Sequence, residues 1–258
     1  TTIRPIWSLQ ESAIYQHEHN MCSVMDIDTG HLMSYPQLLK KDETRPRWSL
    51  GMCKELGRLS QGYKHHTDGT NTLFFMEPAA IKRIPADRTV TYARIVVDYR
   101  PQKSDPYRVR VTVGGNLLNV PGDLSTRTAE MTTSKLLFNS VISTDGARFG
   151  CIDIKNMYLQ TPMDRKEYMR IPVKLIPEAF MIEYKLHSKI YRGHIYCEIC
   201  KVMYGLPQAG RLSNDLLRKR LATCGYIECT HTPGLWRHVW RPVTFTLVVD
   251  DFAIELVG

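Results

Sequence analysis

Two neighbouring aspartates, Asp250-Asp251, lie between two runs of strand-forming residues, Phe245-Thr246-Leu247-Val248-Val249 and Phe252-Ala253-Ile254-Glu255-Leu256. Adjacent carboxylates repel, and a two-residue Asp-Asp connection lacks the Gly or Asn that tight hairpin turns prefer, so a bound divalent cation is the natural reason for the pair. A third acid, Asp153, belongs to another strand-like run, Arg148-Phe149-Gly150-Cys151-Ile152-Asp153-Ile154-Lys155. If the two strands are neighbours, the three carboxylates can share a pair of hard, oxygen-seeking ions such as Mg²⁺. Two such ions about 3.5–4 Å apart stabilise both the attacking and the leaving oxygen in phosphoryl transfer. Beside these acids two more side chains gain meaning. Tyr158 stands where the chain leaves the Asp153 strand and can turn its ring over the sugar of a nucleotide, excluding a 2′-hydroxyl; taken alone it reads as a half-buried core tyrosine. Gln208, in Tyr204-Gly205-Leu206-Pro207-Gln208-Ala209-Gly210, occupies a Gly/Pro-punctuated turn that opens a helix. Such a turn brings an amide close to a ligand, or simply starts the helix.

These residues need elements to hold them. Trp48, Met52, Leu56 and Leu59 recur at helical spacing and predict a short amphipathic helix. Leu73–Met76 and Val90–Tyr99 read as strands. Thr132-Thr133 can cap a helix through Ile142, closed by Gly146. Lys185–Tyr191 and His194–Cys200 predict a hairpin around Arg192-Gly193, and Gly210–Gly225 a helix with Leu212, Leu216, Leu217 and Leu221 on its apolar stripe and Arg218-Lys219-Arg220 largely facing out. Acids on strands with helices in between make the fold class α+β, a sheet with helices on one face.

Composition bounds the partners. At 258 residues the chain buries a sizeable core as one large domain or two subdomains. Lys and Arg number 34 against 26 Asp and Glu, a formal charge of +8, and the cations cluster at Lys82-Arg83, Arg108 with Arg110, and Arg218-Lys219-Arg220, which suits a polyanion. Seven irregularly placed cysteines argue for reduced thiols in an intracellular protein rather than a secreted disulfide framework. Cys197-x-x-Cys200 with Cys224, Cys229 and His231 has zinc-like spacing, but Tyr196–Cys200 reads as a strand, where positions three apart face opposite sides. No signal-peptide core is present, and no apolar run approaches the roughly 18 residues of a membrane span. A first residue of Thr1 rather than Met leads us to expect a piece of a longer polypeptide.

In this order the motifs resemble the reverse transcriptase of LTR retrotransposons, most closely the copia type. Trp48, Met52, Glu55-Leu56 and Leu59 look like the helix preceding the copia-type polymerase, and Ala93-Arg94-Ile95-Val96 resembles the fingers strand whose arginine contacts the nucleotide triphosphate. Cys151–Leu159, with Glu167-Tyr168-Met169 and Pro172, matches the first catalytic block; Met203–Ala209 matches the block whose glutamine touches nucleotide and template. Gly225-Tyr226 and Thr232-Pro233-Gly234-Leu235-Trp236 correspond to the stretch before the final hairpin. There the family usually reads Tyr-Val-Asp-Asp, whereas this chain has Val248-Val249-Asp250-Asp251, which keeps the acids and drops the aromatic ring.

The resemblance implies an RNA-directed DNA polymerase of right-hand architecture, with fingers and palm subdomains and an antiparallel palm sheet carrying helices on one face. It implies an N-terminal extension over residues 1–60, fingers over about 61–122 and 161–212, and palm over about 123–160 and 213–258, stopping before a thumb. Asp153, Asp250 and Asp251, with the carbonyl of Ile154, would hold two Mg²⁺ ions, Mn²⁺ being a substitute. Arg94 and one of Lys82, Arg83 or Arg88 would neutralise the triphosphate, Tyr158 would select deoxyribose, and Gln208 would seat the nascent pair. Implied partners are an RNA template, a DNA or RNA primer and dNTPs, with integrase and RNase H elsewhere in the polyprotein and a cytoplasmic site in virus-like particles. Two rivals use the same acids: a catalytically inactive nucleic-acid-binding remnant of a decayed element, and a two-metal nuclease, which gives no role to Tyr158 or Gln208.

Overall fold

The structure, a computed structural model, describes residues 22–26 and 30–258. Most of the polar start of the expected N-terminal extension therefore lies outside the described residues. In chain order the two five-stranded sheets use β1 (Leu73–Phe75), β2 (Val90–Tyr99), β3 (Tyr107–Val113), β4 (Ala147–Asp153), β5 (Pro162–Pro172), β6 (His194–Lys201), β7 (Tyr226–Glu228), β8 (Leu235–His238), β9 (Val243–Val248) and β10 (Asp251–Val257). The longer helices are α1 (Arg45–Leu59), α2 (Met131–Ser143) and α3 (Ala209–Thr223). Two short ladders, Ser23–Met25 with Leu32–Ser34 and Gly62–Tyr63 with Thr67–Asp68, complete the strands among the described residues. The fold is mixed α and β, compatible with α+β. Among the described residues no helix is long and apolar enough to cross a membrane.

The chain divides into two compact units. The first takes residues through Leu118 together with Arg165–Cys200, and the second takes Asn119–Asp164 and Lys201–Gly258. The amphipathic helix α1, expected in a separate extension, belongs to the first unit, and Gln208, expected in the fingers segment, belongs to the second.

In the first unit the sheet order is β1-β6-β5-β2-β3, with β2 parallel to β5 and antiparallel to β3. The stripe Trp48, Met52, Leu56 and Leu59 on α1 is buried. A Cβ on Gly51 would lie 2.7 Å from the Tyr107 carbonyl oxygen, so a side chain at that position would push the helix off β3. Glu55 ties the two elements together: its carboxylate accepts the Val111 amide at 3.1 Å and the Arg58 guanidinium at 2.6 Å and 2.9 Å. Burial pushes the Glu55 pKa up, opposed in part by Arg58 and by the Val111 amide.

One expectation is corrected in this unit. The hairpin around Arg192-Gly193 forms its turn, both residues having positive φ, but only the His194–Lys201 arm is a strand. The chain leaves the Glu178–Glu183 helix through left-handed Lys185, and Leu186–Lys189 coils into a 3₁₀ turn with Leu186 fully buried. A single bridge, Tyr191 with His194, remains of the ladder. β5 is a long strand the periodicity does not announce; its prolines stand at its two ends, where a missing N–H is tolerated.

The second unit is an antiparallel sheet in the order β7-β8-β9-β10-β4. Alternation gives each face its own helix, which corrects the expectation of helices on one face. Glu255 and Phe149 share a face with Asp251 and Asp153. On that face Ser140 of α2 donates to Glu255 at 2.8 Å and Phe138 meets the Phe149 ring at 4.7 Å. On the opposite face Trp236, Phe245, Leu247 and Phe252 form a buried cluster against which Leu217 and Leu221 of α3 pack. Both faces of this sheet carry apolar side chains, so each needs cover. α2 starts at Met131, one residue ahead of the Thr132-Thr133 pair expected to cap it.

Candidate functional site

The three aspartates meet in the second unit through strand pairing. In β10 and β4, Asp251 stands directly across from Asp153, and antiparallel partners project to the same face. The Ile154 amide donates to the Asp250 carbonyl oxygen at 3.1 Å, which fixes Asp250 against the end of β4. Asp153 and Asp251 are exposed and Asp250 half-buried. Like charges directly across a ladder are destabilising. Hard oxygen donors crowded at a strand end suit a divalent cation in chemistry and in backbone placement. Among the described residues no three carboxylate, histidine or cysteine side chains are already gathered as a cage.

The hairpin itself is strained. Val248 pairs with Asp251, so the two-residue connection is Val249-Asp250 rather than the Asp-Asp read from the sequence, and Asp251 is already a strand residue. Val249 has φ +61°. Among the described residues it is the one β-branched side chain in that region, which a first turn position with φ > 0 ordinarily reserves for Gly. Holding it there costs about 1–3 kcal/mol, the kind of strain that accumulates where a turn must aim functional side chains.

The connections around α3 carry Tyr158 and Gln208. Tyr158 opens the 3₁₀ turn Tyr158–Gln160 and meets the Tyr204 ring edge-on at 5.1 Å. Burial raises the Tyr158 pKa, and the Asp250 and Tyr204 charges raise it further, which puts the Asp250 carboxylate within electrostatic reach of the phenol. The turn at Tyr204-Gly205 uses Gly205 at φ +92°, and buried Gln208 is the residue just before the first turn of α3, its carbonyl accepting the Leu212 amide at 3.0 Å. Thr161 locks the two segments together: its carbonyl accepts the Val202 amide at 2.8 Å and its hydroxyl bonds Ser213 of α3 at 3.0 Å. The Ile154 carbonyl, expected as a metal ligand, accepts the Met157 amide at 3.2 Å and keeps one lone pair for another partner.

No protein-family model matches the chain.

The structure thus brings Asp153, Ile154, Asp250, Asp251, Tyr158 and Gln208 into one unit. Lys82 and Arg94 are carried by the first. Both are exposed: Lys82 follows the short Pro78–Ile81 helix, and Arg94 on β2 donates to the Cys22 sulfur at 3.1 Å. Sequence reasoning missed Val249, Tyr204 and the Thr161–Ser213 lock. Val249 had a signal, a β-branched residue at a two-residue turn. The lock had none, because its partners are 52 residues apart.

Proposed function

We propose that this chain is the fingers and palm of a copia-type reverse transcriptase, adding dNTPs to a primer 3′-hydroxyl on an RNA template with release of pyrophosphate. The observation that carries this reading is the strained Val249 turn, which presents Asp250 and Asp251 against Asp153 on the neighbouring strand. Asp153, Asp250 and Asp251 would hold the ions. Two divalent cations held there supply charge stabilisation for the attacking and leaving oxygens. The protein residues position rather than react. Tyr158, held edge-on by Tyr204 and within electrostatic reach of Asp250, would wall off the space a 2′-hydroxyl needs. Gln208, buried ahead of α3, would seat the incoming pair. Lys82 and Arg94 take their triphosphate role from the resemblance. A labelled primer on an RNA template, incubated with this chain, Mg²⁺ and dNTPs, tests the reading. It should lengthen by template-matched residues; shortening of the primer instead would assign the acids to a nuclease.

A further inference from the structure

The sheet of the second unit ends in an uncovered strand. β4 pairs with β10 on one side, and among the described residues no strand pairs with its other side. The Ile154 amide bonds the Asp250 carbonyl, and antiparallel bonding alternates along the ladder. Arg148, Gly150 and Ile152 therefore turn their backbone groups to β10, while Phe149, Cys151 and Asp153 turn theirs outward. Natural sheets blunt such an edge with a proline, a lysine, a bulge or a covering element. β4 reads Ala-Arg-Phe-Gly-Cys-Ile-Asp, without proline or lysine, and its pairing with β10 runs on without a bulge. It also leaves apolar side chains open on both faces, Phe149 being 45% exposed on the α2 side and Ile152 55% on the other. α2 widens this apolar surface rather than shielding the edge: Phe138 meets the Phe149 ring at 4.7 Å, and Ile142, one turn on from Phe138, is 84% exposed.

We propose that this edge pairs with the same edge of a second copy of the chain, antiparallel about a two-fold axis, joining the two five-stranded sheets into one. A two-fold contact needs a patch complementary to itself, and β4 meets that condition. Its one cation, Arg148, stands near the start and its one acid, Asp153, at the end. An antiparallel copy sets the positive end against the negative end, where a parallel one would set like against like. Three registers centred near the middle of the strand match outward groups to outward groups. Centred on Cys151, the copy lays Phe149 across from a charged Asp153. Centred on Phe149, it draws on the Ala147 amide, which the Thr144 carbonyl already holds at 3.2 Å. Centred on Gly150, it lays Phe149 across from the small, exposed Cys151, and each such pair exchanges both of its backbone bonds. Ile152 then lies across from Arg148 of the second copy, whose aliphatic stem can cover it.

Sedimentation equilibrium of the full chain, in EDTA and reductant and without nucleic acid, reads the contact apart from any catalysis. The mean mass should climb toward that of a dimer as concentration rises. Phe149→Lys sets two cations diagonally across the axis and removes the aromatic cover, so the dissociation constant should rise about tenfold or more. Register is read by disulfide trapping with diamide. Phe149→Cys puts a thiol across from Cys151 of the second copy, with Cα atoms about 5.5 Å apart, a span that a disulfide bridges. A covalent dimer should form faster than in the parent. Ile152→Cys, at least as open but on the other face and across from no thiol, should add no trapping over the parent. Asp250→Asn should leave mass and trapping unchanged, so failure of the polymerase reading and failure of this contact stay distinguishable. A chain that stays monomeric at every concentration would overturn the proposal. So would a dimer that Phe149→Lys leaves intact and Phe149→Cys does not trap, which would place the contact on another surface. Should Phe149→Lys lose the circular dichroism of the fold, the two trapping variants decide alone.

Discussion

Under the polymerase reading, Asp250→Asn should lower dNTP addition on an RNA-templated primer by about a thousandfold or more, the scale on which removal of a preorganised charge-stabilising group is felt. The Ile154 amide donates to the Asp250 backbone carbonyl, a contact that Asn keeps, and Asn is well tolerated in turns, so the fold should be spared. Primer-template affinity should stay within a few fold of the parent, because the cations that attract a phosphate backbone are untouched. Circular dichroism and filter binding control for both. Residual turnover within tenfold of the parent would remove Asp250 from the ion site.

Tyr158→Val should open the sugar side of the site. A ring that forces overpacking against an extra hydroxyl costs about 1–3 kcal/mol, so the preference for dNTP over rNTP should narrow roughly 10- to 100-fold, with dNTP addition little changed. Tyr158→Phe keeps the ring against Tyr204 and should keep the preference, which separates shape from the phenol proton. Single-nucleotide addition with matched dNTP and rNTP pairs reads the ratio directly. An unchanged ratio in the Val variant would mean that the ring beside Asp250 does not face the sugar. A nuclease would show no dependence of this kind at Tyr158.

Those two residues were legible for different reasons. The hairpin acids stand out because alternation and β-branched residues mark strands on both sides, and the pairing of β9 with β10 follows from that pattern. The adjacency of β4 to β10 does not follow from it, since nothing local tells which distant strand a carboxylate will meet; only the resemblance supplied that expectation, and the register of Asp251 on Asp153 agrees with it. Helix α1 was readable because Trp48, Met52, Leu56 and Leu59 keep one period, whereas Glu55 within the same helix looks like an ordinary surface acid. Its burial depends on the Val111 amide 56 residues away. The single-face arrangement of helices failed for a similar reason: which face α2 covers depends on Ser140 meeting Glu255 and Phe138 meeting Phe149, contacts made across the sheet. Lys185–Tyr191 misled because Leu186 and Ile190 suit a helical turn as well as a strand, and left-handed Lys185 chooses the turn. The hairpin register shifted by one residue because strand propensity cannot tell whether Asp251 closes the turn or opens the ladder.

Bound Mn²⁺ offers the most direct examination of the shared ion site. With primer-template and a non-reactive dNTP analogue present, electron paramagnetic resonance of this chain should show two Mn²⁺ ions spin-coupled at the roughly 3.5–4 Å of a two-ion centre. Asp153→Asn, which removes the acid across from Asp251, should leave at most one uncoupled ion. The same Mn²⁺ spectrum in the parent and in Asp153→Asn, coupled in neither, would contradict the account.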